Sequence, residues 1–383
     1  MSDKKIKVAH FGLYFPHYRE DLLIELSKNK NFEFYFYGDQ KFGGGFHLLL
    51  PCEKPYILFN TKVIRIKIFN KYWYIIPRAF KSLIKGEYDV YILSNRLTEL
   101  PSIFIPLFVK LFKRKIIIWG HGKINRNSYI EYFLRRLLIK YSTACIFYND
   151  NEKNFWMKKG INNEKLFVAK NTLNTVTITK IKNNLSSQEL KEFAKRHNLL
   201  NRKILIFSAR LQREKNPFFI IEITDKLKNI ITNLLTLIIG AGPEKEILEV
   251  LIKKRELNNY IHLLGEIYDE YILAKYFLNS HVYVIPSAAG LSILHAFCYG
   301  LPVVTDDDFQ QHGPEIQALK NGINGFICRK NNIDDFINKL SYILIHEEKR
   351  LCLSRYALNT ICEYNVNSMA NSIINAVSSI VKE

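Results

Sequence analysis

Arg210 and Lys215 stand five residues apart in SARLQREKNP, directly after one apolar run and ahead of another. A guanidinium grips oxygens with a planar fork and an ammonium acts as a point charge, so the pair suits a diphosphate. The same cations also fit an ordinary solvated loop, and alone they do not choose. A second group lies in PSAAGLSILHAFCYGLPVV, Pro286 to Val304. Ala288-Ala289-Gly290 lets an anion approach the backbone, and a helix starting near Gly290 would turn free N–H groups toward it. His295 falls one turn into that helix. A lone His on an apolar face is ordinarily a satisfied core residue; contact with a sugar hydroxyl or phosphate is the alternative. In FQQHGPEIQALKNGINGFI, Glu315 follows a His-Gly-Pro turn and precedes a helix. There a carboxylate either accepts from paired sugar hydroxyls or stabilises the helix dipole.

These groups need a frame, and the apolar pattern supplies one. IKVAHFG (6–12), FEFYFYG (32–38), DVYILS (89–94), KIIIWGHG (115–122), TACIFYN (143–149) and KLFVAKN (165–171) read as strands separated by helical segments. Near-continuous apolar strands of this kind belong to parallel sheets covered on both faces. The polar stretch 173–200 reads as a linker. The alternation then restarts with KILIFSARL (203–211), LLTLIIGAGPE (234–244), IHLLGEI (261–267), HVYVIPS (281–287) and LPVVTDD (301–307). The expected architecture is α/β, with two doubly wound Rossmann-like domains facing a cleft. Residues 1–172 form the first, 201–365 the second, and 366–383 a terminal helix placed to pack back on the first. In such sheets, ligands sit beyond the carboxyl ends of the strands, where Arg210, Lys215 and the glycine turn GAGPE fall.

Charge is uneven along the 383 residues. The formal net charge is +19, and residues 1–170 carry 30 Lys and Arg against 14 Asp and Glu. A basic first half suits an anionic partner or surface; a merely solvated surface is the alternative. The six cysteines are scattered without a C-x-x-C, which predicts neither a zinc site nor a disulfide framework and suits a reduced, cytoplasmic protein. The start, MSDKKIKVAHFG, runs from charge into a strand with no signal-peptide core, and no apolar run reaches the roughly 18 residues of a bilayer span. Asp306-Asp307-Asp308 is the one metal-binding candidate, and no metal or other cofactor is expected.

In order and approximate spacing, SARLQREKNP, GAGPE, LLGEI, PS…GLSILHAFCYGLPVV and PEIQALKNGINGFI resemble the donor domain of GT-B glycosyltransferases, most of all the retaining bacterial enzymes of glycosyltransferase family 4. IIIWGHGK and IFYNDNEKNFWMKKGINNEKLFVAKNTLNT resemble inner elements of that family's first domain. The resemblance implies roles. Arg210 and Lys215 hold the donor's diphosphate and neutralise the leaving group, and backbone amides near Gly290, Leu291 and Ser292 touch the phosphate or sugar. Glu266 and Ile267 flank the base, and Glu315 ends the last donor loop. Gly12 matches a glycine loop of the first domain that approaches the phosphates, and His121 a His near the transferred sugar. The chain departs from the family at its paired glutamates. It is shortened between Pro286 and Gly290, losing the first, and His295 stands where the second falls, so His295 is expected to contact the donor.

The implied reaction moves a sugar from a nucleotide-diphosphate sugar to a glycan or lipid-linked acceptor in cell-surface polysaccharide synthesis. The acceptor is expected on the basic first domain. There PSIFIPLFVKLFKRK (101–115), YFLRRLLIKY (132–141) and the basic, aromatic stretch 62–85 suit an anionic membrane surface as well as ordinary sheet-covering helices. A peripheral enzyme on the inner face of the cytoplasmic membrane follows. A non-catalytic nucleotide-sugar-binding subunit is the rival reading; a nucleic-acid-binding protein lacks any recognition motif, and no nucleic acid partner is expected.

Overall fold

The computed structural model describes residues 5–41, 48–68, 71–122 and 128–381. Phe69, Asn70, Lys123, Lys382 and Glu383, within stretches singled out above, lie outside them. The chain divides into two compact units: residues up to Asn171 together with those from Val366 onward, and Thr172–Asn365.

The first domain contains β1 (Ile6–Phe11), α1 (Glu20–Ser27), β2 (Phe32–Gly38), β3 (Ile57–Asn60), β4 (Ile64–Ile68), β5 (Lys71–Ile75), α2 (Pro77–Lys85), β6 (Val90–Ser94), α3 (Leu100–Ile103) and α4 (Ile105–Phe112). It continues with β7 (Lys115–Trp119), α5 (Tyr129–Tyr141), β8 (Ala144–Phe147), α6 (Asp150–Lys158) and β9 (Leu166–Val168). Seven strands pair in parallel in the order β3-β2-β1-β6-β7-β8-β9. The order reverses between β1 and β6, which opens a crevice at their carboxyl ends. β4 and β5 form a separate antiparallel ribbon with Arg65 stacked 3.4 Å from the Tyr72 ring centroid. The sequence did not announce it, because its isoleucines alternate with cations and β4 is exposed along its length.

The second domain contains α7 (Thr175–Asn184), α8 (Ser187–Arg196), β10 (Lys203–Ser208), α9 (Pro217–Leu227), β11 (Leu234–Ile239), α10 (Lys245–Lys254), β12 (Ile261–Gly265), α11 (Glu270–Leu278) and β13 (Val282–Val284). After these come α12 (Ser292–Cys298), β14 (Val303–Asp306), β15 (Gly325–Cys328), α13 (Ile333–Ile345) and α14 (Glu347–Ile361). Its six strands are parallel in the order β12-β11-β10-β13-β14-β15, with the switch point between β10 and β13. Pro217 starts α9 with its φ preset and no N–H to satisfy, and Gly300 ends the α12 segment at φ 73°.

Residues 173–200 are not a linker. They form α7 and α8, with Ser186 and Glu189 building a reciprocal cap, and Ile178, Leu185, Phe193 and Leu199 buried in the second core. A minority of apolar side chains, spread over two helices, pins this polar segment.

The last helix, α15 (Val366–Val381), belongs to the first domain and packs on α1. Met369, Ala370, Ile373, Ala376 and Val377 are fully buried or nearly so. Each large side chain among them contributes about 1.5–3 kcal/mol of burial free energy. Lys115 Nζ donates to Ile380 O at 2.6 Å and Arg19 reaches Met369 Sδ at 3.4 Å, fixing the helix at both ends.

Candidate functional site

At the switch point of the second sheet, three loops lock together. The loop after β10 carries Arg210, exposed, and a 3-10 turn Arg213–Lys215. The GAGPE turn after β11 lies against it: Leu211 N–H donates to Ala241 O at 2.9 Å, Glu244 N–H to Leu211 O at 3.1 Å, and Arg213 Nε to Glu244 Oε1 at 3.1 Å. Gly240, at φ 142°, is required there, since a Cβ would collide with the Ala209 carbonyl oxygen. Gly240 N–H also donates to Gly265 O at 2.7 Å, which brings the exit of β12 alongside. On that exit Tyr268 O–H donates to the Glu266 carboxylate, Ile267 packs on the core, and the Arg210 charge acts on Tyr268.

Lys215 Nζ donates to Ala288 O, in the loop after β13. Burial pulls its ammonium below the ordinary lysine value; Glu315 and Glu214 draw it part of the way back, and Arg210 adds to the lowering. Lys215 therefore lies in the fields of both Arg210 and Glu315. Ala288 holds a left-handed φ of 49°. Ala289 N–H donates to His312 Nδ1 at 3.0 Å and Ala289 O accepts from Gly313 N–H at 2.6 Å. His312 Nε2, 2.9 Å from both Asp306 O and Asp306 Oδ1, therefore carries the ring proton. Glu315 is 3 % exposed in a 3-10 turn, Pro314–Ala318, rather than ahead of an α-helix. Its carboxylate lies over Gly290 and Gly313. Gly290, Leu291 and Ser292 form the entry to α12, which begins at Ser292.

His295 has a partner within the domain. Its Nε2 donates to Glu270 Oε1 on α11 at 2.7 Å, and its ring packs edge-on to Phe277 at 4.6 Å. Tyr299 O–H donates to the same carboxylate oxygen at 2.5 Å. Burial pushes Glu270 up, but the His295 and Tyr299 hydrogen bonds outweigh it and hold the carboxyl below its ordinary value. The His thus has an internal partner that explains it without a ligand. Of the three aspartates, Asp306 meets His312, while Asp307 and Asp308 both take Lys330, the first through its N–H at 2.9 Å and the second through its Nζ at 2.7 Å. Among the described residues no group of three metal-ligating side chains converges.

In the first domain, the switch-point crevice is a cavity of about 300 Å3. Gly12 and His121 are among the residues that line it. Gly12 N–H donates to Tyr37 O at 2.9 Å, and a Cβ at Gly12 would meet ordinary contacts with the Phe15 ring and the Tyr14 carbonyl oxygen. His121 sets its ring on Tyr148 at 4.9 Å, while its carbonyl accepts from Asn95 Nδ2 and Arg135 Nη1, both at 3.0 Å. His10 lies between Phe15 and Trp119, and burial, aided by Arg19, lowers it to about 3, so it is neutral. Sequence reasoning missed Arg19, Asn95, Glu99 and Arg135, which line the same cavity. Asn95 and Glu99 follow the strand read over 89–94, and that position after a strand was the available signal.

Residues 189–360 match the family described as glycosyl transferases group 1. The chain is 23% identical over 333 residues to an uncharacterized glycosyltransferase of Haemophilus influenzae, covering 81% of this chain and 86% of the relative. It is 24% identical over 264 residues to the N,N'-diacetylbacillosaminyl-diphospho-undecaprenol alpha-1,3-N-acetylgalactosaminyltransferase of Campylobacter jejuni, covering 68% of this chain and 66% of that one. Among solved structures, Anabaena Alr3699/HepE in complex with UDP superposes with a TM-score of 0.71 at 15% identity, covering 98% of this chain and 100% of that one.

Proposed function

This chain is a glycosyltransferase of the GT-B fold, and we propose that it moves a sugar from a nucleotide-diphosphate sugar to a lipid-linked or glycan acceptor, in the manner of family 4. The observation that carries the donor side is the convergence of Lys215 and Glu315 on the Ala288–Gly290 loop, with Arg210 near enough for its charge to act on Lys215. Two cations and the free amides of Gly290, Leu291 and Ser292 take the diphosphate. Glu315 accepts from sugar hydroxyls, and the backbone at Glu266 and Ile267 flanks the base. As the glycosidic bond breaks, negative charge gathers on the departing diphosphate, and Arg210 and Lys215 are already in place to neutralise it. No metal or cofactor takes part. Retention of configuration rests on the family resemblance.

The acceptor side rests on the first domain. Leu107, Leu111 and Phe112 on α4, and Tyr129, Ile130 and Phe133 on the adjoining α5, are all exposed. Lys110, Lys113, Arg136 and Lys140 stand exposed among them. Apolar side chains mixed with cations suit the headgroup region of an anionic bilayer. Among the described residues no helix is long and apolar enough to cross a membrane. The proposed place of work is the inner face of the cytoplasmic membrane, supported by this exposed mixture of apolar side chains and cations. The Campylobacter relative, by its name, acts on a diphospho-undecaprenol-linked substrate, which supports a lipid-linked acceptor for a cell-surface glycan.

The test is release of nucleoside diphosphate from UDP-, GDP- and dTDP-sugars by the full chain, with and without lipid extract. Release from one nucleotide class, raised by lipid and lost in Lys215→Ala, is the expected result. No release from any donor under either condition would refute the proposal.

A further inference from the structure

Two short stretches of the second domain, KRHNLLNRK (195–203) and KKRELNNYIH (253–262), hold seven Lys and Arg against one acid, Glu256. Residues 171–383 as a whole are near neutral, with 25 Lys and Arg against 22 Asp and Glu. The positive charge of this half of the chain therefore gathers here. The fold brings the two stretches together at the amino ends of β10 and β12. Between them lies a recess of about 530 Å3, lined by Lys195, Arg202, His262, Asn198, Asn258 and Asn259, with Leu200 its one apolar residue. Lys195 and the three asparagines are exposed, and Arg202 and His262 are half-buried.

The cations of this recess lack counter-ions. Among the described residues neither Lys195 nor Arg202 forms an ion pair, whereas Arg213, Lys228, Arg255 and Lys330 of the same domain each stand by a carboxylate. The Arg202 side chain makes one long hydrogen bond, from Nη1 to Leu234 O at 3.5 Å. Burial lowers the His262 imidazole below its ordinary value, and the Arg202 charge lowers it further, so the two groups lie within each other's field. A helix dipole accounts for Lys195, in the last turn of α8. It does not account for Arg202, which precedes β10, or for His262, which lies in β12. Setting Arg202 against His262 with no acid in the lining costs stability, and an anion between them reverses that cost.

We propose that this recess is a binding site for a phosphate monoester of a hydroxyl-bearing molecule, a sugar phosphate, with the phosphate on Arg202, Lys195 and His262 and the hydroxyls on the three asparagines. A phosphate takes a forked guanidinium and an ammonium at once, and its charge draws a proton onto the imidazole. Asparagine amides donate and accept, as sugar hydroxyls do. The lining holds no aromatic ring on which a nucleotide base could stack, which sets this ligand apart from the donor. The volume falls within the range of small-molecule pockets. The six residues of β10, about 20 Å of strand, separate Arg202 from Arg210 at the donor site, so the ligand does not compete with the nucleotide.

The experiment titrates glucose 6-phosphate, inorganic phosphate and glucose into the full chain by calorimetry, with and without UDP. Glucose 6-phosphate is expected to bind with a Kd below about 1 mM, inorganic phosphate more weakly, and glucose not at all. Arg202→Gln and Lys195→Gln should each weaken the ester about tenfold, while Lys215→Ala, at the opposite edge of the sheet, changes it less than about twofold. In proton NMR spectra the His262 resonance, assigned with His262→Gln, should titrate at higher pH when glucose 6-phosphate is bound, a shift that a disturbed fold would not produce. Undiminished binding in Arg202→Gln, loss of binding in Lys215→Ala or on adding UDP, or an unmoved His262 titration would overturn the inference. Inorganic phosphate bound as tightly as the ester, or no ester bound up to about 10 mM, would overturn it as well.

Discussion

The two domains share a topology but treat their switch points differently. In the second, each loop is held by another: Lys215 by Ala288, Ala289 by His312, Leu211 by Ala241. Both sites keep buried polar atoms without partners among the described residues, Asn95 Oδ1, Trp119 Nε1 and Arg135 Nε in the first and Glu244 Oε2 and Gln317 Nε2 in the second, and the first adds the Glu99 carboxyl without a counter-ion. A site for a fixed chemical group such as a diphosphate can be assembled in advance from loop-to-loop bonds. The outer surfaces differ as well, since exposed apolar side chains and cations gather on α4 and α5 of the first domain.

Four measurements sharpen or break that contrast. The largest effect is expected for Lys215→Ala, which removes a cation and frees the Ala288 carbonyl: nucleoside diphosphate affinity should fall about 100-fold, read by calorimetry. A retained affinity would mean that the interlocked loops are architecture alone. Next, replacing Leu111 and Ile130 by Ser should lower sedimentation with anionic vesicles about tenfold at low salt and leave UDP binding intact. Equal sedimentation would remove the membrane surface from α4 and α5.

The third measurement is the pH dependence of stability. Glu99 is raised from 4.5 to about 7 in the folded chain, so the folded state holds a proton that the unfolded state has already lost across that window. Stability is therefore lost as pH rises from about 4.5 to about 7, by on the order of 3 kcal/mol from this group. Chemical denaturation of Glu99→Gln beside the wild type should show the variant gaining on it over that range. A constant difference would place Glu99 in a solvated or paired setting. The smallest effect on the donor is expected from His295→Ala. It breaks the Glu270 contact and should cost about 1–3 kcal/mol of stability, while UDP affinity moves less than about twofold. A large loss of affinity with unchanged stability would restore the ligand contact that the family alignment implied.

What the sequence made legible follows from the range over which each signal acts. Apolar runs such as LLTLIIG and KIIIWG define strands locally, so both parallel sheets and the placement of Arg210 and Lys215 after β10 could be read from the residues. The order of motifs brought Glu315 and Gly290 into one site. The ribbon β4–β5 escaped because an exposed strand has no buried face to make its alternation apolar against polar. Residues 173–200 looked like a connection because only a few widely spaced side chains anchor them. The partner of His295 is Glu270, 25 residues earlier on another helix, and no local pattern joins them. Glu99 was invisible for the same reason: its burial comes from the meeting of several strands and helices around one crevice.

The most direct test of the account is calorimetric titration of UDP, GDP and dTDP into the full chain, wild type beside Lys215→Ala. The account predicts that one of the three binds selectively and that the substitution weakens it severely. Binding of none of them, or binding that ignores the substitution, would contradict the donor site at the switch point of the second domain.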